Sequence, residues 1–411
     1  MPKSLLFKSK APSQLNCFAG VVLLLFAVPL SQSSPMAALW TAPCILLASL
    51  LITWGAEASQ FFVAQGFALA ILAWLQTLPE FAVEAVLAWK QQSILLIANL
   101  TGALRLLTGL GWPLIYVTAA VMHRRRTGQP LRTIRLASHH SVEVAALLFP
   151  LLYALFIWWK GYLHLYDGVV LILFYVAYLM LLMKLPAEEQ EGIEDLEPIP
   201  RAIVRAPRQR RILAIAACFA TGGTLIYFMA EPFLGSLVAV AAAIGLPSFF
   251  VIQWLAPVIS EFPEFASTFY FARQDDKASV ALMNIASSNI NQWTLLVAML
   301  PIVFSWSRGT PSAIVFDSQQ ETELLLTIGQ SLVALTFLIN MEFDWWEALA
   351  MSVLFAVQFV LPHFFGEQVQ IWIAMAFFAW TVGSFTTYFY RRPRHNALRS
   401  FLQTWRTHVL R

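Results

Sequence analysis

Charge is what this chain has least of. Only 12% of its 411 residues are Asp, Glu, Lys or Arg, against about 25% in a soluble domain, while 59% are hydrophobic and mean hydropathy is +0.68. That deficit excludes a soluble globular enzyme and points to a polytopic membrane protein. Cysteine is also scarce. Cys17, Cys44 and Cys218 all fall in apolar stretches without paired spacing, so they read as small core residues and imply no disulfide framework. No HExxH motif and no paired nucleophile and base occur, which leaves an intramembrane enzyme without its chemistry. The formal net charge of +3 is accounted for by clustered loop residues and implies no nucleic-acid partner.

What is present is long apolar runs. About 20 helical residues cross the hydrocarbon, and twelve segments qualify: 16–33, 40–64, 67–90, 93–121, 142–159, 165–184, 211–243, 247–273, 279–304, 324–341, 345–362 and 369–390. Lys and Arg collect on cytoplasmic loops, which tests this count. With the N-terminus inside, the inner side holds Lys3, Lys8, Lys10, the loop from Arg124 to Arg135, the Arg201–Arg211 cluster, Arg273, Lys277 and the tail from Arg391. Opposite them lie Lys90, Lys160 and Arg308. This predicts a multi-pass protein of the plasma (inner) membrane with both termini cytoplasmic. Its surroundings are then membrane lipid. Residues 1–36 read as an N-terminal transmembrane helix or, equally compatible with the rest, a signal peptide.

Inside the apolar runs, the chain writes Pro-Glu-Phe-Ala twice, at Pro79–Ala82 and Pro263–Ala266. A glutamate at membrane depth costs about 2.5 kcal/mol or more unless it meets a cation, a proton or a partner. The preceding proline breaks the helix and frees backbone carbonyls beside the carboxylate, which is tolerated there only where protein or a wet cavity surrounds it. Asn99 follows Glu80 by 19 positions and Asn284 follows Glu264 by 20, so each copy continues into a third shared feature. An acidic, Pro- and Arg-containing stretch at 185–210 reads as a solvated cytoplasmic linker between the halves 37–184 and 211–365, with an extra helix and basic tail at 366–411. By the charge-based topology the two units enter from opposite sides. The predicted fold is therefore all-α: about twelve transmembrane helices, with two inverted repeats of five, broken helices carrying Pro-Glu, and one extra helix at each end.

These units resemble the sodium/calcium exchanger membrane family, the cation/Ca2+ antiporter superfamily, whose repeats carry Gly-Thr-Ser-x-Pro-Glu and then Gly-Asn-x-x-Gly-Ser-Asn. The matching stretches are Leu75–Glu80 with Ala98–Leu104, and Ile259–Glu264 with Met283–Asn289. The resemblance covers 40–122 and 211–305. It implies a secondary antiporter in which Glu80 and Glu264 are the central carboxylates, exchanging Ca2+ for Na+ or H+, with these inorganic cations as cargo and no cofactor. Ca2+ takes 6 to 8 oxygens from carboxylates, amides, hydroxyls and carbonyls, and Thr77, Ser260, Asn99, Asn284 and Ser288 complete such a set. Departures are equally specific. Ala103 and Leu104 stand where the second copy keeps Ser288 and Asn289, and acids replace the usual hydroxyls at Glu84 and Glu261. Extra acids favour protons as the counter-ion. The alternatives are a monovalent cation/H+ antiporter and a scaffold or sensor that keeps the fold without transport.

Four other features invite a role. Ala-Glu recurs at Glu57 and Glu231, readable as a gating charge or as an anchor of each long first span. Arg105 would repel a cation if it faced the site, but six helical residues place it about 240° around from Asn99, towards an acid or headgroups. His139, His140 and Glu143 read as a solvated loop rather than a metal site, since adjacent histidines diverge. The Trp158–Trp159 and Trp345–Trp346 pairs sit near predicted span ends and need no ligand.

Overall fold

The computed structural model describes residues 34–62, 77–184, 192–193, 196–274, 277–366, 368–391 and 396–408. Among them nine helical segments are long and apolar enough to cross a membrane. The expected span at 16–33 lies outside the described residues, as does the first part of 67–90. The 247–273 run is divided at its Pro-Glu motif into two short helices rather than one span.

The order of elements occurs twice. The first copy runs through α1 (Ala38–Ser59), α2 (Leu78–Trp89), α3 (Ser93–Leu106), a π-turn at Leu107–Gly111, and α4 (Trp112–Thr127). It continues with β1 (Thr133–Arg135), α5 (Ser141–Lys160), β2 (Tyr162–Leu163) and α6 (Leu165–Leu182). After a short α7 (Pro198–Arg205), the second copy begins with α8 (Arg208–Ile244), α9 (Ser248–Ser260), α10 (Phe262–Ala272) and α11 (Ala278–Asn291). A π-turn at Gln292–Leu296 then leads to α12 (Val297–Arg308), β3 (Ile314–Val315), α13 (Ser318–Leu338), β4 (Glu342–Asp344) and α14 (Trp345–Phe365). Two helices follow, α15 (Val369–Arg391) and α16 (Ala397–His408). The strands exchange partners between the copies. β1 pairs antiparallel with β4, Ile134 opposite Phe343, and β2 with β3, Leu163 opposite Ile314. These ribbons tie the two halves together outside the helical core.

Small residues set how closely helices approach, since between apolar helices packing replaces the hydrophobic drive. α1 and α8 lie along each other: a Cβ on Gly222 would meet Ile52 Cγ1 at 2.8 Å and the Ala48 carbonyl at 2.9 Å. At 37 residues α8 is about 55 Å long, well beyond the hydrocarbon thickness. The tightest crossing joins α3 to α9, where a Cβ on Gly102 would stand 1.8 Å from the Gln253 carbonyl oxygen. Pro257 sits four residues after Gln253 and has no N–H to give that carbonyl, so it is free to face α3. Gly102→Ala must force the two helices apart at backbone level. We expect it to cost more than the roughly 1 to 3 kcal/mol of ordinary overpacking, seen as loss of the monodisperse peak in detergent, whereas Gly223→Ala, facing open space, should leave it intact.

Two expectations from the sequence need correction. The 185–210 stretch is not wholly solvated: Leu196, Pro200, Ile203 and Val204 are buried, and α7 packs on α1 and α8 beside Ala58. The spacing of Pro200, Ile203 and Val204 puts an apolar stripe on one face of a helix of about two turns, and Leu196 extends it from just before the helix. His140 and Glu143 are likewise buried rather than in a solvated loop, with His140 Nδ1 3.9 Å from Glu143 Oε1, because α16 packs over the 138–140 turn and α5. Cys44 is buried, Cys218 is half-buried, and both are free thiols. Trp159, Trp345 and Trp346 are exposed at helix ends.

Candidate functional site

Both Pro-Glu motifs open a helix. Proline is well placed at the start of α2 and α10, where its missing N–H costs nothing, and Glu80 and Glu264 follow in the first turn. Each carboxyl thus sits at the positive end of a helix dipole that supports its charge. On the other side of the second break, α9 ends at Ser260 with its C-terminus towards the same point, and the Ile259 carbonyl loses its helical donor because residue 263 is proline. Acid-supporting and cation-supporting ends therefore meet at one buried locus.

The side chains converge there. Glu80, Glu261 and Glu264 are 2%, 1% and 4% exposed. Glu261, in the break between α9 and α10, hydrogen-bonds both Glu80 and Glu264. Gln292 Nε2 donates to Glu80 Oε2 at 2.8 Å and to Glu261 Oε1 at 2.6 Å. Ser288 hydrogen-bonds Glu264, and Asn291 Nδ2 donates to Thr77 Oγ1 at 2.5 Å. Two glutamates of this cluster come from the second half and one from the first.

The other sequence-picked residues divide. Glu84, fully buried one turn after Glu80, is hydrogen-bonded by Asn99 Nδ2 at 2.9 Å, so these two form a pair beside the cluster. Ser260 turns its hydroxyl back to the Ala256 and Pro257 carbonyls, at 3.2 and 3.4 Å. Asn284 is half-buried, one turn before Ser288 on the same face of α11, and makes no side-chain hydrogen bond among the described residues. Glu57 is buried, but Glu231 is exposed and bridges to Lys90 at 2.5 Å, so the repeated Ala-Glu has two different settings.

Motif reasoning misses Gln292 and Asn291. They belong to the run Ser288-Asn289-Ile290-Asn291-Gln292, which packs four polar side chains into five residues of an apolar span. That density is a signal, but it lies past the end of the family motif at Asn289. Arg105, 1% exposed, is neutralised away from the cluster: its guanidinium lies 2.5 Å from Glu323 Oε2 and 5.0 Å from the Trp254 ring centre. Gln253 and Gln370 donate to the same Glu323 carboxylate at 2.9 and 2.8 Å. Among the described residues no group of three acids, histidines or cysteines stands ready-made to hold a metal ion; Glu80 and Glu261 are instead joined through Gln292.

Residues 34–184 and 214–364 each match the family described as sodium/calcium exchanger protein. The chain belongs to that family. It is also 30% identical to the H+/Ca2+ exchanger CAX, whose crystal structure superposes with a TM-score of 0.86 over 97% of this chain and 98% of that one. Native YfkE, at 14% identity, has a TM-score of 0.56 over 88% of this chain and 98% of its own. The sodium-calcium exchanger NCX_Mj soaked with Na+ and Sr2+, at 18% identity, gives 0.50 over 82% and 98%. The last two likenesses are of fold. No curated protein matches. As an exchanger-family member with nine apolar spans among its described residues, the chain is an integral membrane protein of a transporter family.

Proposed function

We propose that this exchanger is a secondary antiporter of Ca2+ against protons, working by alternating access at the Glu80–Glu261–Glu264 cluster. One observation carries the reading: three buried carboxyl groups meet at one locus, with Glu261 hydrogen-bonded to both Glu80 and Glu264. A hydrogen bond between two carboxyls requires a proton on one of them. Three carboxylate charges at such range, away from water, repel strongly, and either a divalent cation or protons relieve that repulsion. The same oxygens thus serve both ions in turn, and no separate proton site is needed. Glu80 and Glu264 would be the principal Ca2+ ligands, with Glu261, Ser288, Gln292 and the Ile259 carbonyl supplying further oxygens. Glu84 and Asn99 would form an adjoining proton-carrying pair. The 30% identity to an H+/Ca2+ exchanger favours the same coupling.

The repeated element order, together with opposite charge-based entry of the two copies, supports inverted repeats about a midplane site, within about twelve helices and with both termini on the positively charged inner face. Exchange then needs only that the charged, empty site be too costly to rearrange while the occupied or protonated one is not. Proteoliposomes decide the counter-ion. Radiolabelled Ca2+ uptake should follow an imposed pH gradient and ignore a Na+ gradient at fixed pH. Uptake that follows Na+ and ignores pH would replace H+ by Na+ as the coupling ion, and uptake of Na+ or K+ without Ca2+ would establish the monovalent alternative.

A further inference from the structure

Gln292 sits between the two halves in an unusual way. It is fully buried at the first position of the second π-turn, a widened turn of a kind that often marks functional sites. Both hydrogens of its Nε2 are engaged, one towards Glu80 from the first half and one towards Glu261 from the second. Its Oε1 is buried and has no hydrogen-bond partner. The amide orientation follows from its neighbours. Were Oε1 to face the two acids, it would crowd their oxygens unless both acids were protonated, whereas the NH2 group satisfies both. Beside it, Glu80 Oε1 and Glu264 Oε2 are also buried acceptors without a partner.

We infer that Gln292 is an amide switch: without a divalent cation its Nε2 clamps Glu80 to Glu261, and with the cation bound the amide turns over and presents Oε1 as a ligand. The inference rests on the cation-antiport reading. An amide nitrogen has no lone pair to give a hard cation, while an amide oxygen is an ordinary Ca2+ ligand. The amide O and N are nearly the same size, so a half-turn about the terminal side-chain bond exchanges them without moving the backbone. The same half-turn releases Glu80 Oε2 and Glu261 Oε1 from their clamp, freeing them at the moment the ion needs oxygens. A buried acceptor left unpaired in the cation-free state raises the energy of that state, and so favours the turned-over amide once an ion is there to pair with it. The equivalent position in the first half, 185 residues earlier, is Leu107, so the device occurs once and closes the gap between halves from one side.

Two isosteric substitutions separate the donor from the acceptor. Gln292→Met keeps the volume and removes both, and Gln292→Glu keeps oxygens and removes the NH2 clamp. In proteoliposomes, Ca2+/Ca2+ self-exchange reads the cation-bound half of the cycle, and gradient-driven net uptake reads the full cycle. For Gln292→Met, the KM for Ca2+ in self-exchange should rise about tenfold or more, at least the scale of losing a group that supports a metal ligand. For Gln292→Glu, the ratio of net uptake to self-exchange should fall about tenfold or more, equivalent to one lost charge-assisted hydrogen-bond pair in the cation-free state. A wild-type KM in Gln292→Met, or a wild-type ratio in Gln292→Glu, would overturn the switch. A merely structural glutamine would lower both fluxes together and leave that ratio unchanged. If Gln292→Met does not elute as a monodisperse peak, the Gln292→Glu ratio decides alone. Wild-type protein that takes up no Ca2+, or whose uptake survives Glu80→Gln, would instead overturn the antiport reading itself, whatever Gln292 does.

Discussion

Glu80→Gln and Glu264→Gln should each lower gradient-driven Ca2+ uptake about a hundredfold or more, an effect of about 2.7 kcal/mol at 1.36 kcal/mol per factor of ten. Both residues lie in the first turn of a helix, both are buried, and each keeps one carboxyl oxygen without a hydrogen-bond partner. The substitution keeps shape and polarity but removes the charge that a divalent ion neutralises. It also ends the ability to trade the ion for protons. The control is Glu231→Gln, a carboxylate of comparable sequence setting that is exposed and paired only with Lys90 at the surface, which should leave uptake within a factor of about two, since such pairs are worth little. Glu84→Gln should fall between them, about three- to tenfold, because Glu84 lies one turn away with Asn99 rather than in the cluster. Proteoliposome flux with matched protein incorporation checks the series. Glu264→Gln retaining more than about a third of wild-type flux, well short of the loss set by the removed charge, would remove the cluster from the transport site.

The second large effect concerns stability rather than transport. Arg105→Leu should cost about 3 to 5 kcal/mol, because it leaves Glu323 as an uncompensated buried charge. The pair is 1% exposed on both sides, and it anchors donors from two further elements, Gln253 on α9 and Gln370 on α15, while Gln330, on α13 with Glu323, donates to the Arg105 backbone carbonyl at 2.9 Å. Glu323→Leu should be of similar size, with the guanidinium stranded instead. The double variant Arg105→Leu, Glu323→Leu should recover at least half of the loss, since removing both charges of a buried pair is often neutral. Thermal midpoints in detergent, read by the decay of the monodisperse peak, measure all three. Additive losses in the double variant would mean that the ion pair is not the stabilising unit. No comparable rescue is expected for Glu80 and Glu264, whose losses are functional, so the two polar centres are separable by experiment.

Much of the site is legible in the amino-acid sequence. The two Pro-Glu-Phe-Ala copies stand out because a carboxylate in an apolar run is expensive and a proline there breaks hydrogen bonds, and both effects act locally on the residues that carry them. The same holds for the spans and for the continuation of each copy to Asn99 and Asn284. What a motif cannot supply is partnership. Asn99 faces Glu84 rather than the central acids, Ser260 turns back on its own helix, and Glu261 joins the cluster only because the chain breaks beside it. The expectation of a solvated stretch at 185–210 fails for a related reason: charge composition does not register an apolar stripe as short as Leu196, Pro200, Ile203 and Val204.

By itself, then, the sequence determined that the chain lies in a membrane, that one motif-bearing unit occurs twice, and that each copy carries a Pro-Glu within an apolar run, since hydropathy, proline and charge act through near neighbours. Tertiary structure alone decided which polar groups meet. Gln292 reaches Glu80 across 212 positions, and Arg105 reaches Glu323 across 218. A helical period assigns a residue to a face, but the partner of that face depends on how helices from the two halves cross. That crossing is set by close packing at Gly102 and Gly222 and by the widened turn that begins at Gln292.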